Sequence, residues 1–97
     1  MQINGLYILL EKELTRAKIQ LTSEEHPIFK AHFPENPILP AFIHFEIVSE
    51  IFNITINNIQ KAKFTEVIRP NKILLYIKKN NTFTVFCDTK KVASFKL

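Results

Sequence analysis

The sequence predicts an α+β fold in which an antiparallel sheet wraps around one apolar helix. Three observations carry that expectation. "RAKIQLT" alternates, with Ala17, Ile19 and Leu21 on one face and Arg16, Lys18 and Gln20 on the other, as a half-buried strand does. "AFIHFEIVSEIF" follows directly on Pro40, holds no proline or glycine, and is apolar on most of its sides, which describes a buried helix. After "NITINN", short β-type runs joined by turns continue to the end of the chain, the pattern of antiparallel hairpins. A sheet packed on a single helix is the economical way to bury all three.

In chain order, "LYILLEKEL" fits either a strand or a short helix, and the strand over 16–21 follows it. Four of the five prolines then fall between Pro27 and Pro40. Each removes a backbone donor and restricts the residue before it, so the stretch from Ser23 to Pro40 is expected to be irregular. The helix is expected from Ala41. The strand runs after it are "IQKAKFTEVI", then "KILLYIKK" beyond Pro70, "TFTVFCDT" beyond an Asn80–Asn81 turn, and "VASFKL" beyond a Lys-Lys turn.

Ninety-seven residues suit one domain, 1–97, and a chain of this size buries only about two-thirds of its unfolded surface alone. A homo-oligomer is therefore expected. The lone Cys87 excludes an internal disulfide and lies in a strand pattern, where a buried, inert thiol is expected. No stretch approaches the roughly 20 apolar residues of a membrane span, and nothing resembles a signal peptide, so the expected compartment is the cytoplasm. The net charge of +4 is unevenly spread. Residues 1–56 carry four basic and seven acidic groups, and residues 57–97 carry nine and two. A basic half attracts nucleic acid, anionic surfaces or acidic proteins, or is simply a solvated sheet face.

The chemistry-bearing residues gather around the proline-rich stretch. His32 heads the segment that delivers the helix. Glu46, Ser49 and Glu50 share one narrow polar stripe of the helix, with His44 pointing nearly the opposite way. A carboxylate such as Glu46 in an apolar helix must be paired, shifted in pKa or placed at an interface. A histidine and a carboxylate in an apolar cleft suit general acid–base catalysis; equally, His32 caps a turn and Glu46 pairs with a lysine. Free N–H groups at the helix start near Ala41 offer partial positive charge to a substrate carbonyl. His26 is expected in a turn or at the surface, and His44 packed or at a subunit contact. A metal site from His26, His32 and His44 would need three unrelated directions to converge, so none is expected.

"HPIFKAHFPENPILPAFIHFE" resembles the active-site segment of hotdog-fold 3-hydroxyacyl-(acyl-carrier-protein) dehydratases of the FabZ type and their ApeI-like relatives. The His-Phe-Pro start, the proline offsets and a glutamate fourteen residues after the histidine carry the resemblance. It implies a hotdog fold with His32 as the catalytic base and Glu46, usually from the partner subunit, as its carboxylate. It also implies that the Ala41 N–H holds the thioester carbonyl, with Phe33, Pro40 and Phe42 beside the substrate. A homodimer with acyl tunnels at its interface, and no cofactor, follows from the same resemblance. Where the family usually has glycine this chain has Ala31, Glu35 and Ala41, and Glu50 stands where many relatives have glutamine.

The implied activity is dehydration of a 3-hydroxyacyl thioester, on acyl carrier protein or CoA, to a trans-2-enoyl thioester in fatty-acid or related acyl-chain metabolism. Lys61, Lys63, Arg69, Lys72, Lys78 and Lys79 are candidates for docking an acidic carrier. Two alternatives share the fold: a thioesterase in which Glu46 activates water, and a non-catalytic acyl-binding subunit, towards which the missing glycines point. Nucleic-acid binding rests on charge alone and is not expected.

Overall fold

The helix that organises the molecule is Ile43–Phe52 (α2), and the computed structural model describes residues 3–97 around it. Ile43, His44, Ile47 and Val48 are its buried residues, spaced one helical turn apart as a core-facing stripe requires. Asn53 ends it in the left-handed conformation (φ 52°), its N–H returning to the Ser49 carbonyl. Asparagine tolerates that conformation better than most residues, which suits it to this stop.

Before α2 come strands β1 (Tyr7–Glu13) and β2 (Arg16–Leu21), and after it β3 (Lys61–Phe64), β4 (Ile73–Lys79), β5 (Thr82–Cys87) and β6 (Lys90–Lys96). All pair antiparallel in one six-stranded sheet of order β1-β2-β4-β5-β6-β3. The ambiguous "LYILLEKEL" is therefore strand. The alternation read in β2 holds: Ala17, Ile19 and Leu21 are buried and the intervening side chains are not. Leu74 and Tyr76 of β4, Phe83 and Val85 of β5, and Phe95 of β6 join them beneath the helix. Phe45 meets Phe95 edge-on at 4.9 Å between centroids, and Phe95 stacks on Phe83 at 5.5 Å. Flat rings thus couple helix to sheet.

Three expectations need correction. The Ser23–Pro40 stretch contains a single helical turn, Pro27–Ala31 (α1). Pro27 stands at its start, where the missing N–H costs nothing, and His26 caps it by accepting the Ile28 N–H. Helix α2 begins at Ile43 rather than Ala41, because Ala41 and Phe42 form a tight turn whose 3₁₀-type bonds lead into it. The last hairpin turns at Asp88–Thr89, both with positive φ, and Lys90 and Lys91 belong to β6.

Candidate active site and relatives

His32 follows α1 and is half-buried. Its Nδ1–H donates to the Ile28 carbonyl at 2.8 Å, because a carbonyl can only accept. That bond sets the tautomer: neutral His32 keeps its proton on Nδ1 and leaves the Nε2 lone pair free to act as a base. Ile28 is thus held from both sides, its N–H by His26 and its carbonyl by His32. The short helix is a clamp that orients His32.

The next residue, Phe33, has φ 68°, an uncommon conformation for a bulky side chain. It opens a turn closed by the Asn36 N–H to the Phe33 carbonyl at 2.8 Å. Glu35, which replaces a family glycine, does not have positive φ. The backbone strain therefore sits at Phe33, and the loss of glycine at 35 adds none of it.

At the start of α2 the N–H groups of Ile43, His44 and Phe45 bond to the carbonyls of Pro40, Ala41 and Phe42. The N–H groups of Ala41 and Phe42 have no backbone acceptor among the described residues. Free donors therefore stand where the sequence placed them. Ala41 lines a cleft of about 400 Å³ with Leu39, His44, Phe64, Glu66 and Val67 among its walls. Pro40 is buried and Phe42 exposed, with the His32 ring edge-on to Phe42 at 6.2 Å.

Glu46 is half-buried in the first turn of α2. It lines a different cleft, of about 780 Å³, with Phe42, Phe45, Ser49, Glu50 and Ile56. The stripe Glu46–Ser49–Glu50 faces that space as its spacing predicted. Glu50 accepts the Tyr7 hydroxyl, and burial followed by that bond pushes the Tyr7 phenol well above its ordinary pKa. His32 is not among the residues lining this cleft. Phe42, which the His32 ring meets edge-on, does line it.

His44, expected packed or at a subunit contact, is buried within the chain at 2% exposure. It also carries chemistry that its spacing did not show. Its Nδ1 lies 2.7 Å from the hydroxyl of Tyr76, which is fully buried, and its ring stacks on Phe64. Burial lowers its pKa to about 4, so it is neutral at physiological pH. Among the described residues, no group of three or more histidine, cysteine or acidic side chains is arranged to hold a metal ion.

Among the basic candidates, Lys72 is engaged with Asp88 at 3.0 Å and Arg69 with Asn36. Lys61 and Lys63 are exposed on β3, at the edge of the sheet.

An antiparallel sheet wrapped on one helix, entered through a His-Phe-Pro turn, is the hotdog fold of dehydratases. The model of the ApeI-like family, described as ApeI dehydratase, matches residues 10–96, and the chain belongs to that family. It is 27% identical over 81 residues to the 3-hydroxyacyl-(acyl-carrier-protein) dehydratase FabZ of Caldanaerobacter subterraneus subsp. tengcongensis, across 70% of this chain and 57% of that one. To FabZ of Chlamydia caviae it is 34% identical over 80 residues, across 67% of this chain and 51% of the relative. The chain thus aligns with little more than half the length of these relatives. Among solved structures, a chain of the dehydratase heterocomplex ApeI:P from Xenorhabdus doucetiae superposes with a TM-score of 0.69 at 21% identity. That match covers 95% of this chain and 94% of the other. No helix among the described residues is long and apolar enough to cross a membrane.

Proposed function

We propose that this chain is a hydro-lyase that converts 3-hydroxyacyl thioesters, carried on acyl carrier protein or CoA, to trans-2-enoyl thioesters. The observation that carries the reading is the orientation of His32, whose Nδ1–H is tied to the Ile28 carbonyl so that Nε2 is left as a base. Nε2 removes a proton from C2. The C2 electron pair forms the C2–C3 double bond as the C3–O bond breaks, and the hydroxyl leaves as water with a proton from Glu46. Proton exchange with solvent then returns both side chains to their starting forms. The Ala41 N–H, unpartnered at the helix start, holds the thioester carbonyl while charge develops on it. Phe33, Pro40 and Phe42 shape the entrance beside His32.

The family resemblance supplies the helix glutamate from the partner subunit, so the working unit is taken as a homodimer in which the partner copy supplies Glu46. The exposed Lys61 and Lys63 on β3 offer the carrier protein a basic landing surface. With this function goes the reading of 1–97 as a single domain acting in the cytoplasm, in fatty-acid or related acyl-chain metabolism.

The test is an assay with a 3-hydroxyacyl thioester on acyl carrier protein, following the enoyl product by mass spectrometry. Loss of the base in His32→Ala should lower the rate roughly 10²–10⁴-fold while the chain stays folded. Release of free acid instead would identify a thioesterase. Binding without any product would leave an acyl-binding subunit.

A further inference from the structure

The buried pair His44–Tyr76 takes no part in the proposed chemistry, yet its histidine forms part of the wall of the cleft that begins at Ala41. Among the described residues the Tyr76 hydroxyl has one partner, His44 Nδ1 at 2.7 Å. A buried O–H must donate to something, so its hydrogen points at Nδ1, which accepts. Burial raises the Tyr76 phenol well above its ordinary pKa, which keeps that hydrogen in place. A neutral imidazole whose Nδ1 accepts carries its own proton on Nε2.

Nε2 has no hydrogen-bond partner among the described residues, and none of their buried side-chain nitrogen or oxygen atoms lacks one. Nε2 therefore keeps access to solvent, and the space it reaches is the cleft that His44 lines. Ile38, Leu39, Phe64, Val67 and Ile68 give the cleft apolar walls, and Thr65 and Glu66, the latter paired with Lys90, are its polar members beside His44. An uncharged N–H donor faces a largely apolar stretch of the groove, pre-oriented by a hydroxyl behind it.

We infer that His44 is a specificity-determining residue, its Nε2–H binding an oxygen carried on the acyl chain beyond C3. This rests on the reading that the chain binds acyl thioesters. The His44 N–H bonds the Ala41 carbonyl at 3.2 Å, so the two residues stand one turn, roughly 5–6 Å, apart along the cleft that both line. On an extended chain that is about the distance from the thioester carbonyl oxygen to an oxygen on C5. A methylene at that position leaves the donor unpaired in an apolar setting, whereas a ketone oxygen satisfies it.

The experiment uses two probes that lack the 3-hydroxyl and so cannot be dehydrated: octanoyl-pantetheine and its 5-oxo counterpart, titrated calorimetrically. The wild-type chain should bind the 5-oxo probe about tenfold more tightly, the effect of one net hydrogen bond. In the double variant His44→Leu/Tyr76→Phe, which removes both polar groups together, the preference should vanish while octanoyl-pantetheine still binds. No preference in the wild type overturns the inference, as does a preference that survives in the double variant. Equal loss of both probes in that variant does so too, since it would place His44 on the thioester itself. Nitrogen NMR of the wild-type imidazole reads the tautomer without any variant, and a proton on Nδ1 would also overturn it. Failure of the wild type to bind either probe would sink the acyl-thioester reading along with it, whereas absence of enoyl product in the activity assay leaves the binding comparison intact.

Discussion

Each of the three histidines has its role decided by one neighbouring atom. His26 accepts the Ile28 N–H, His32 donates to the Ile28 carbonyl, and His44 accepts from Tyr76. The first caps, the second is left with its Nε2 lone pair free, and the third is held neutral by burial. Burial of the third also couples stability to pH. His44 has a pKa of about 4 in the folded chain against 6.5 ordinarily. Above pH 6.5 neither the folded nor the unfolded chain holds the extra proton, so nothing is lost. Below it the unfolded chain takes up a proton that the native state refuses, and stability falls until about pH 4. Each pH unit costs about 1.4 kcal/mol, or roughly 3 kcal/mol over the window. Urea unfolding of the wild type and of His44→Leu/Tyr76→Phe between pH 7.5 and 4.5 reads this directly. The double variant should gain on the wild type as pH falls, since the carboxylates are common to both. A difference that stays flat with pH would refute it.

At the level of elements, the hairpin β5–β6 holds the clearest local conflict. Its turn residues Asp88 and Thr89 have φ 53° and 63°. That geometry favours Asp-Gly, and a β-branched residue in the second place is strained. Thr89 is exposed and its hydroxyl bonds only the adjacent Asp88 carbonyl, so little is lost by removing it. Thr89→Gly should therefore stabilise the chain by about 1 kcal/mol, raising Tm by roughly 4–8 °C for a domain of this size. A thermal melt that shows no rise, or a fall, would count against it. The same hairpin shows what was legible in the sequence. Period-two alternation marked β2 and β5, because each strand buries one side only. The turn was misplaced onto Lys90–Lys91, because the Asp-Thr pair lacks the glycine that usually marks it. Helix α1 was hidden for a related reason. Proline reads as a breaker, and only the contact of His26 with Ile28 shows that Pro27 opens a turn rather than ending one. Within the site, the His-Phe-Pro start and the Glu46 stripe were visible as a local pattern. The His44–Tyr76 pair was not, because its members lie 32 residues apart and meet only when β4 packs beneath α2.

For the whole molecule, one chain is half of a device under the proposed mechanism. His32 leaves α1 beside Phe42, which lines, with Glu46, the cleft between α2 and the segment Thr55–Ile59. In a two-fold dimer residue i of one copy meets j of the other and j meets i, so under this reading each of two sites draws His32 from one copy and Glu46 from the other. This arrangement predicts complementation between two dead proteins. His32→Ala and Glu46→Ala are each expected to form inactive dimers. In a mixed dimer, one site combines both substitutions and the other is built entirely from native residues. If equal amounts of the two variants are unfolded and refolded together, half of the dimers are mixed and half of their sites intact. Activity should return to about a quarter of the wild-type value. Mixing without refolding tests exchange: activity that grows slowly reports the rate at which dimers come apart. Two residues acting within one chain would give no recovery under either protocol, since every chain would carry a broken site. That outcome would move Glu46 out of the partner's role and put both groups in the site of a single chain.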